Sequence, residues 1–311
     1  MTAEIFQTPD SYVQLSLESV ILAVTCGSPR VLSVGAATQR PALPSGPLDE
    51  KAHPTLERGV REGVELSTGL KLAYVEQLYT FGDRVRDARR AGASRRVVSA
   101  AYLALIREQP LKTGFEAAWL DIYGVLPWED WRAGQPKILS TTLQQALASW
   151  AGRDPRRRER SDLCFGLNGA PFDPERTLER YELLWEAGLV AEATGNIAGF
   201  GTAMALDHRR ILATALGRLR GKIKYRPVVF ELLPAAFTLL NLQRTVEALA
   251  GNRLHKQNFR RLVEQGGLVE GIGQLEHDTG GRPAELFRFR HEVFRERPAP
   301  GVYFPGAWWG Q

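Results

Sequence analysis

The sequence predicts an α+β protein with two domains joined by helices, and three observations predict it. Short β-type runs alternate with a helix in the first half. A helix, tight turn, helix and β-hairpin follow one another near the C-terminus. Charge also shifts along the chain: residues 207–297 carry a net +7 and the remainder a net −2, out of +5 for all 311 residues. Because phosphate neutralisation dominates nucleic-acid affinity, the C-terminal third is where a polyanion would bind.

Bulk properties narrow the class. With 44% hydrophobic and 24% charged residues the chain reads as soluble and globular, and its length suits two domains. No apolar run approaches the roughly 20 residues of a membrane span. The opening MTAEIFQTPDSYVQ lacks the basic region and apolar stretch of a secretory signal. Cys26 and Cys164 lie far apart, which fits a reducing cytoplasm and excludes a paired zinc site. Both thiols are expected to be buried, the location cytoplasmic, and no membrane partner is expected.

The N-terminal unit, residues 1–150, begins with a predicted hairpin. Ser19 to Thr25 and Val31 to Val34 are apolar runs separated by Gly27-Ser28-Pro29. Arg40 to Pro47 is too rich in proline and glycine for a regular helix. Leu56, Val60 and Val64 recur every four residues and predict a helix over Thr55 to Leu66. Leu72 to Thr80 and Arg96 to Ile106 read as strands around a charged loop, Asp83 to Arg95.

Residues 151–224 read as a helical insertion and linker. The run Ala151 to Arg160, with its Pro and many Arg, is an exposed linker or a helix start. Pro174 to Trp185 is a helix stopped by Gly188. Asp207 is placed to N-cap a longer one, whose stripe is Leu212, Leu216, Leu219 and Ile223. Arg209, Arg210, Arg218, Arg220, Lys222 and Lys224 are assigned to its other faces.

Residues 225–297 give the winged-helix pattern, and 298–311 are a tail. Thr238 is a predicted N-cap, with Phe237 and Leu242 at hydrophobic-staple spacing and Gly251 as the stop. After Asn252 to His255 comes a second helix, Lys256 to Gln265, with Phe259, Leu262 and Val263 as its apolar face. Lys256, Gln257, Asn258, Arg260 and Arg261 are left for solvent or DNA, and these are side chains able to bond major-groove base edges. Leu268-Val269 and Leu286 to Arg290 form the wing strands. Arg282, beside Gly280-Gly281, is placed to reach a phosphate or the minor groove. A winged helix that binds protein instead of DNA is the alternative.

The stretch Leu43 to Leu70 resembles a damaged Nudix box, G-x5-E-x7-R-E-U-x-E-E-x-G-U with U aliphatic. In that box, helix-borne glutamates hold a hard cation against a diphosphate. Anchored on Gly69, the helix has Glu62 and Gly63 at the Arg-Glu positions and Leu66 and Ser67 at the Glu-Glu positions. A one-residue shift recovers Arg61-Glu62 and Glu65 but leaves Leu66 in place of the second glutamate and loses the glycine. Neither alignment restores the full set.

The chain as a whole resembles the Nudix-related transcriptional regulator family (NrtR), which represses NAD-biosynthesis genes, and its longer proteobacterial members in particular. The stretches that carry this are Glu76 to Gly82, Arg96 to Leu105, Leu206 to Ile211, Arg218 to Tyr225, Phe237 to Gln243, Lys256 to Arg261 and Gly280 to Ala284. Residues 137–203 look like an insertion. The resemblance implies a Nudix-like α/β/α sandwich followed by a helical linker and a winged helix-turn-helix. It also implies a homodimer on a palindromic double-stranded DNA operator, and an effector, ADP-ribose or a related NAD metabolite, that alters DNA binding. Carried over by position, the effector pocket includes Gln77, Thr80, Phe81, Arg86, Arg95 and Arg96. Guanidiniums would hold phosphate there and Phe81 would stack on adenine. The loop Ala88 to Ser94 looks expanded relative to the family.

No catalytic residue, metal or cofactor is expected beyond that effector. His53, His208, His255, His277 and His291 show no metal spacing, and the chain contains neither a G-x-x-x-x-G-K-[ST] nor a G-x-S-x-G motif. Trp119, Trp128 and Trp131 read as packing residues, and Trp308-Trp309 as cover for an apolar surface. The competing activity is a metal-dependent ADP-ribose-type pyrophosphatase using Glu62 and Glu65.

Overall fold

A computed structural model describes residues 13–35, 40–83, 96–194, 200–277 and 282–302. The charged loop after Asp83, with Arg86 and Arg95, the wing tip Thr279 to Gly281 and the Trp308-Trp309 pair lie outside the described residues.

The predicted hairpin is present as β1 (Val13–Thr25) and β2 (Ser28–Val34), paired from Leu22↔Val31 to Thr25↔Ser28. Its two turn residues, Cys26 and Gly27, have φ of 50° and 73°. Positive φ at both positions matches the right-handed twist of the flanking strands. That turn holds Cys26 in solvent, which corrects the expectation that both thiols are buried; Cys164 is buried.

Strand β3 (Ser45–Pro47) and helix α1 (Leu56–Thr68) follow, with Thr55 accepting from the Arg58 N–H as N-cap. Then come β4 (Tyr74–Phe81), β5 (Arg96–Leu105) and β6 (Ala117–Asp121). The sheet order is β4-β5-β1-β2-β6, with β3 beside β1. The pair β1 and β5 is parallel, from Val13↔Arg96 to Leu22↔Leu105, and the other pairs are antiparallel.

Alternation along β1 and β5 sends side chains to two cores. Leu17, Ile21, Ala100, Tyr102 and Ala104 pack with Val60 and Val64 of α1. Val20, Leu22, Ala101, Leu103 and Leu105 face the other way and join the larger core.

A short helix α2 (Ile122–Val125) leads into the insertion. There a π-helical turn, Leu139–Leu143, enters α3 (Gln144–Ala151), followed by α4 (Pro155–Phe165), α5 (Thr177–Glu186) and α6 (Ala191–Thr194). The arginine-rich run is thus a helix start: Asp154 accepts from the N–H groups of Arg156 and Arg157, and Pro155 occupies the first turn.

Helix α7 (His208–Ile223) is the second layer of the sandwich. Its predicted stripe, Leu212, Leu216, Leu219 and Ile223, is buried, but so are Arg209 and Arg220. Their assignment to outward faces is corrected, because each guanidinium finds buried acceptors. Arg209 donates to the Val125 carbonyl at 2.6 and 3.0 Å, to Glu192 at 3.3 Å and to the Phe200 carbonyl, above the Trp128 ring. Asp207 precedes the helix without a side-chain cap bond and pairs with Arg210 at 3.1 Å instead.

The C-terminal elements are β7 (Phe237–Thr238), α8 (Leu239–Ala250), α9 (Lys256–Gln265), β8 (Val269–Glu276), β9 (Ala284–Phe289) and α10 (Val293–Glu296). Strands β7, β9 and β8 form a second sheet in that order. Thr238 caps α8 by accepting from the Asn241 N–H at 3.2 Å. Leu242, Val246, Leu249, Phe259 and Val263 belong to the same core as α7 and the first sheet, so a single apolar interior runs through both domains.

Gly251, with φ of 70°, ends α8 at this contact. A Cβ there would overlap the Glu129 carbonyl oxygen and crowd Arg220 and Tyr123. Gly251→Ala therefore combines left-handed strain with overpacking, and the urea midpoint is expected to report a loss of about 3 kcal/mol.

Candidate nucleic-acid interface and sensor site

Helix α9 owes its exposure pattern to residue spacing. Phe259 and Val263 are fully buried and Leu262 is half-buried, which fixes the helix against α8 and β8. Lys256, Gln257, Asn258, Arg260 and Arg261 are all exposed, as the sequence predicts. Arg282, two residues before the second wing strand, is exposed too. The structure thus presents a row of amide and cationic donors on one rigid helix.

What holds that helix in place was not read from the sequence. Glu247, almost fully buried on α8, accepts from Gln243 Nε2 at 2.8 Å, from the Leu254 N–H at 3.0 Å and from Arg253 at 2.8 Å. Gln243 also donates to the Leu254 carbonyl at 3.0 Å. The two side chains therefore pin the α8–α9 turn. The signal is a buried i, i+4 Gln/Glu pair whose partners are backbone groups of a later loop, and such partners have no sequence period.

On the sensor side, Gln77 and Thr80 are exposed on β4, and Arg96, exposed at the start of β5, donates to the Gly82 carbonyl at 3.3 Å. Thr80, opposite Ala100, lies toward the Arg96 end of the sheet, whereas Gln77, opposite Tyr102, lies farther along the strand, so the structure does not bring all three together. Phe81 is not available beside them. It is 4% exposed, lies under the Arg210 guanidinium and meets Tyr79 edge-on. A bulge between Gln77 and Tyr79 shifts the alternation, turning Leu78 and Phe81 inward and Tyr79 outward. The adenine-stacking role given to Phe81 is corrected accordingly, and the exposed ring on this strand is Tyr79.

Behind this strand α7 is ion-paired to Glu76 of β4 and to Asp83 just beyond it. Arg210 binds Asp83 at 2.6 Å and Glu182 at 2.5 Å, and Lys222 pairs with Glu76. Glu18, fully buried on β1, accepts from Ser16 and Ser99 at 2.9 and 3.1 Å and lies 3.2 Å from Nε2 of His208. His208 Nδ1 accepts from the Leu43 N–H, which leaves the ring proton on Nε2, toward the carboxylate. Nothing local in the sequence signals this contact, because its two partners lie on separate elements far apart in the chain.

The carboxylates of α1 are engaged by nearby cations. Glu62 pairs with Arg58 and lies 3.7 Å from His53, Glu57 pairs with Arg61 at 2.7 Å, and Glu65 lies 3.5 Å from Lys71. Leu66 is 80% exposed, and a cavity of about 370 Å³ beside it is lined by Leu17, Pro44, Pro47, Val60 and Val64. Among the described residues no group of three His, Cys, Asp or Glu side chains is placed to hold a metal ion. No helix among them is long and apolar enough to cross a membrane.

Residues 229–289 match the family described as the NrtR DNA-binding winged helix domain. This part of the chain is similar in sequence to that family and has the winged-helix fold. The chain is also 40% identical over 86 residues to the ADPR responsive transcriptional repressor NtrR of Acinetobacter baylyi, covering 28% of this chain and 34% of that protein. It thus spans about a third of the curated relative it matches.

Over most of its length the fold is that of Shewanella oneidensis NrtR in complex with a 27mer DNA. That likeness has a TM-score of 0.56 at 22% identity and covers 90% of this chain and 94% of the other. A MutT/nudix family protein from Enterococcus faecalis has a TM-score of 0.53 at 17% identity, covering 93% and 90%. The Nudix-type sandwich followed by a winged helix is therefore the architecture of this chain.

Beside the shared apolar core, the winged helix and that sandwich also meet at one buried carboxylate. Glu129 is fully buried and receives Arg180 in a fork at 2.6 and 2.9 Å, together with Arg220. Burial alone would raise its pKa, but the two guanidiniums hold it below its ordinary value. Arg220 also donates to the Leu249 carbonyl at 3.0 Å, and Arg180 to the Cys164 carbonyl at 3.0 Å. Tyr123, pushed up to about 12 by burial, stays neutral and donates to the Ala248 carbonyl at 2.6 Å. Sheet domain, insertion, α7 and winged helix meet at this cluster.

Proposed function

We propose that the chain is a transcriptional repressor of NAD-metabolism genes that binds an operator through its NrtR winged helix and releases it in response to ADP-ribose or a related NAD metabolite. The observation that carries this reading is the exposed donor row of α9 on a domain of the NrtR type. Lys256, Gln257, Asn258, Arg260 and Arg261 read base edges and phosphates, and Arg282 contacts the backbone from the wing. A homodimer places two such helices on a palindromic duplex, in the cytoplasm.

The sensor is the sheet domain, with Gln77, Thr80 and Arg96 at the effector site and Arg86 and Arg95 in the neighbouring loop. Support for ADP-ribose comes from the response named for the Acinetobacter baylyi relative. An effector acts here by preferring the released state over the DNA-bound one. Because α7 is ion-paired to β4 and also contacts α8 through Arg220, a change at β4 has a direct mechanical route to the winged helix.

A gel shift on the protein's own promoter and on NAD-pathway promoters, with and without ADP-ribose, tests the proposal. Retarded DNA that is released by ADP-ribose is expected, and no shift on any of these fragments would overturn it. Calorimetry should give the same ADP-ribose affinity with Mg²⁺ and with a chelator, since the α1 carboxylates are engaged by Arg58, Arg61 and Lys71. Robust Mg²⁺-dependent release of AMP would instead establish a pyrophosphatase.

A further inference from the structure

The run at the start of α4 is, among the described residues, a strongly basic surface that the proposed repressor does not use. Arg153, Arg156, Arg157, Arg158 and Arg160 are all exposed within eight positions, in the part of the chain whose overall balance is slightly acidic. Only two acids share residues 151–160, Asp154 and Glu159, and the Asp154 carboxylate is committed to capping the helix. Arg160 pairs with Glu186, and Arg157 lies 3.7 Å from Asp154.

Two of the guanidiniums are held in place by the fold. Arg157 sits over the Trp150 ring, and Arg158 donates to the Gly152 carbonyl. Arg153 and Arg156 have no ion pair or side-chain hydrogen bond among the described residues.

The patch is also fixed relative to the winged helix. The last turn of α4 gives the Cys164 carbonyl to Arg180, Arg180 binds Glu129, and Arg220 links Glu129 to the Leu249 carbonyl of α8. Helix α4 is 11 residues long, so its basic end stands one rigid helix, roughly 16 Å, from that cluster. Guanidinium forks match phosphate oxygens, and duplex DNA offers an unbroken row of them beyond any base pairs that α9 reads.

We propose that the arginine cluster of α4 is a second DNA contact, binding the phosphate backbone of the same duplex outside the base pairs engaged by α9. This rests on the DNA-binding reading given above.

The test is fluorescence anisotropy across a salt series, on a long operator duplex and on one trimmed to the α9 footprint. Wild type is compared with the R153A/R156A double variant, whose urea midpoint checks the fold. On the long duplex the variant should lose about tenfold in affinity, and its log–log salt slope should fall by roughly 2. On the trimmed duplex the two proteins should coincide. Equal slopes on both duplexes would overturn the second contact and leave the surface to an acidic protein partner. Wild-type protein that binds neither duplex would instead sink the DNA-binding reading, and this proposal with it.

Discussion

Glu129→Ala is expected to destabilise the protein by about 3–5 kcal/mol, the typical result of leaving buried charge without its partner. Arg180 and Arg220 are both buried, and both aim guanidinium groups at the position that the substitution empties. Glu129→Gln keeps the shape but removes the charge, so it should fall between alanine and wild type. Urea unfolding at neutral pH would rank the three, and equal midpoints would show that Glu129 does not hold the junction together.

The acid limb gives an independent check. Two guanidiniums hold the Glu129 carboxyl below its ordinary value of 4.5, so its folded pKa is depressed. Its contribution is complete above that value and is lost as pH falls through the folded pKa. Glu129→Gln should therefore flatten the drop in stability below about pH 4.5 relative to wild type.

The second large effect belongs to α9. Arg260 and Arg261 are exposed on the face opposite buried Phe259 and Val263, so replacing both with alanine leaves the core untouched. Losing a specific base contact costs about 1–3 kcal/mol, and losing a phosphate contact lowers the salt slope by about 1. Operator affinity is thus expected to fall by about two orders of magnitude with an unchanged thermal midpoint. A variant that retains wild-type affinity would remove these arginines from the interface.

The parts of this molecule that were legible in its sequence are those with a period or a cap. Phe259, Leu262 and Val263 announce α9, and by elimination its exposed row. Thr238 and Gly251 mark the ends of α8, and the apolar runs 19–25 and 31–34 mark the first hairpin. The buried polar groups were not legible. Arg209 and Arg220 look like solvent-facing cations of a connector helix, and nothing local shows that Val125, Leu249 and Glu129 await them. Glu18 looks like an ordinary strand residue until His208, 190 positions later, closes over it. Phe81 failed differently: one extra residue in β4 reversed the side to which it points.

The continuous interior described above has a consequence for how such proteins can be recombined. Leu249 and Phe259 of the winged helix share one core with Leu216 of α7 and Leu103 of the sheet, and Glu129 ties the same pieces together. The DNA reader is consequently not a detachable cassette. Transplanting residues 229–289 onto another sensor would expose the apolar side of α8 and leave the Ala248 and Leu249 carbonyls without the Tyr123 and Arg220 donors that satisfy them. A workable chimera has to carry α5, α7 and the segment around Glu129 as well, so the unit that evolution or an engineer can exchange is nearly the whole chain.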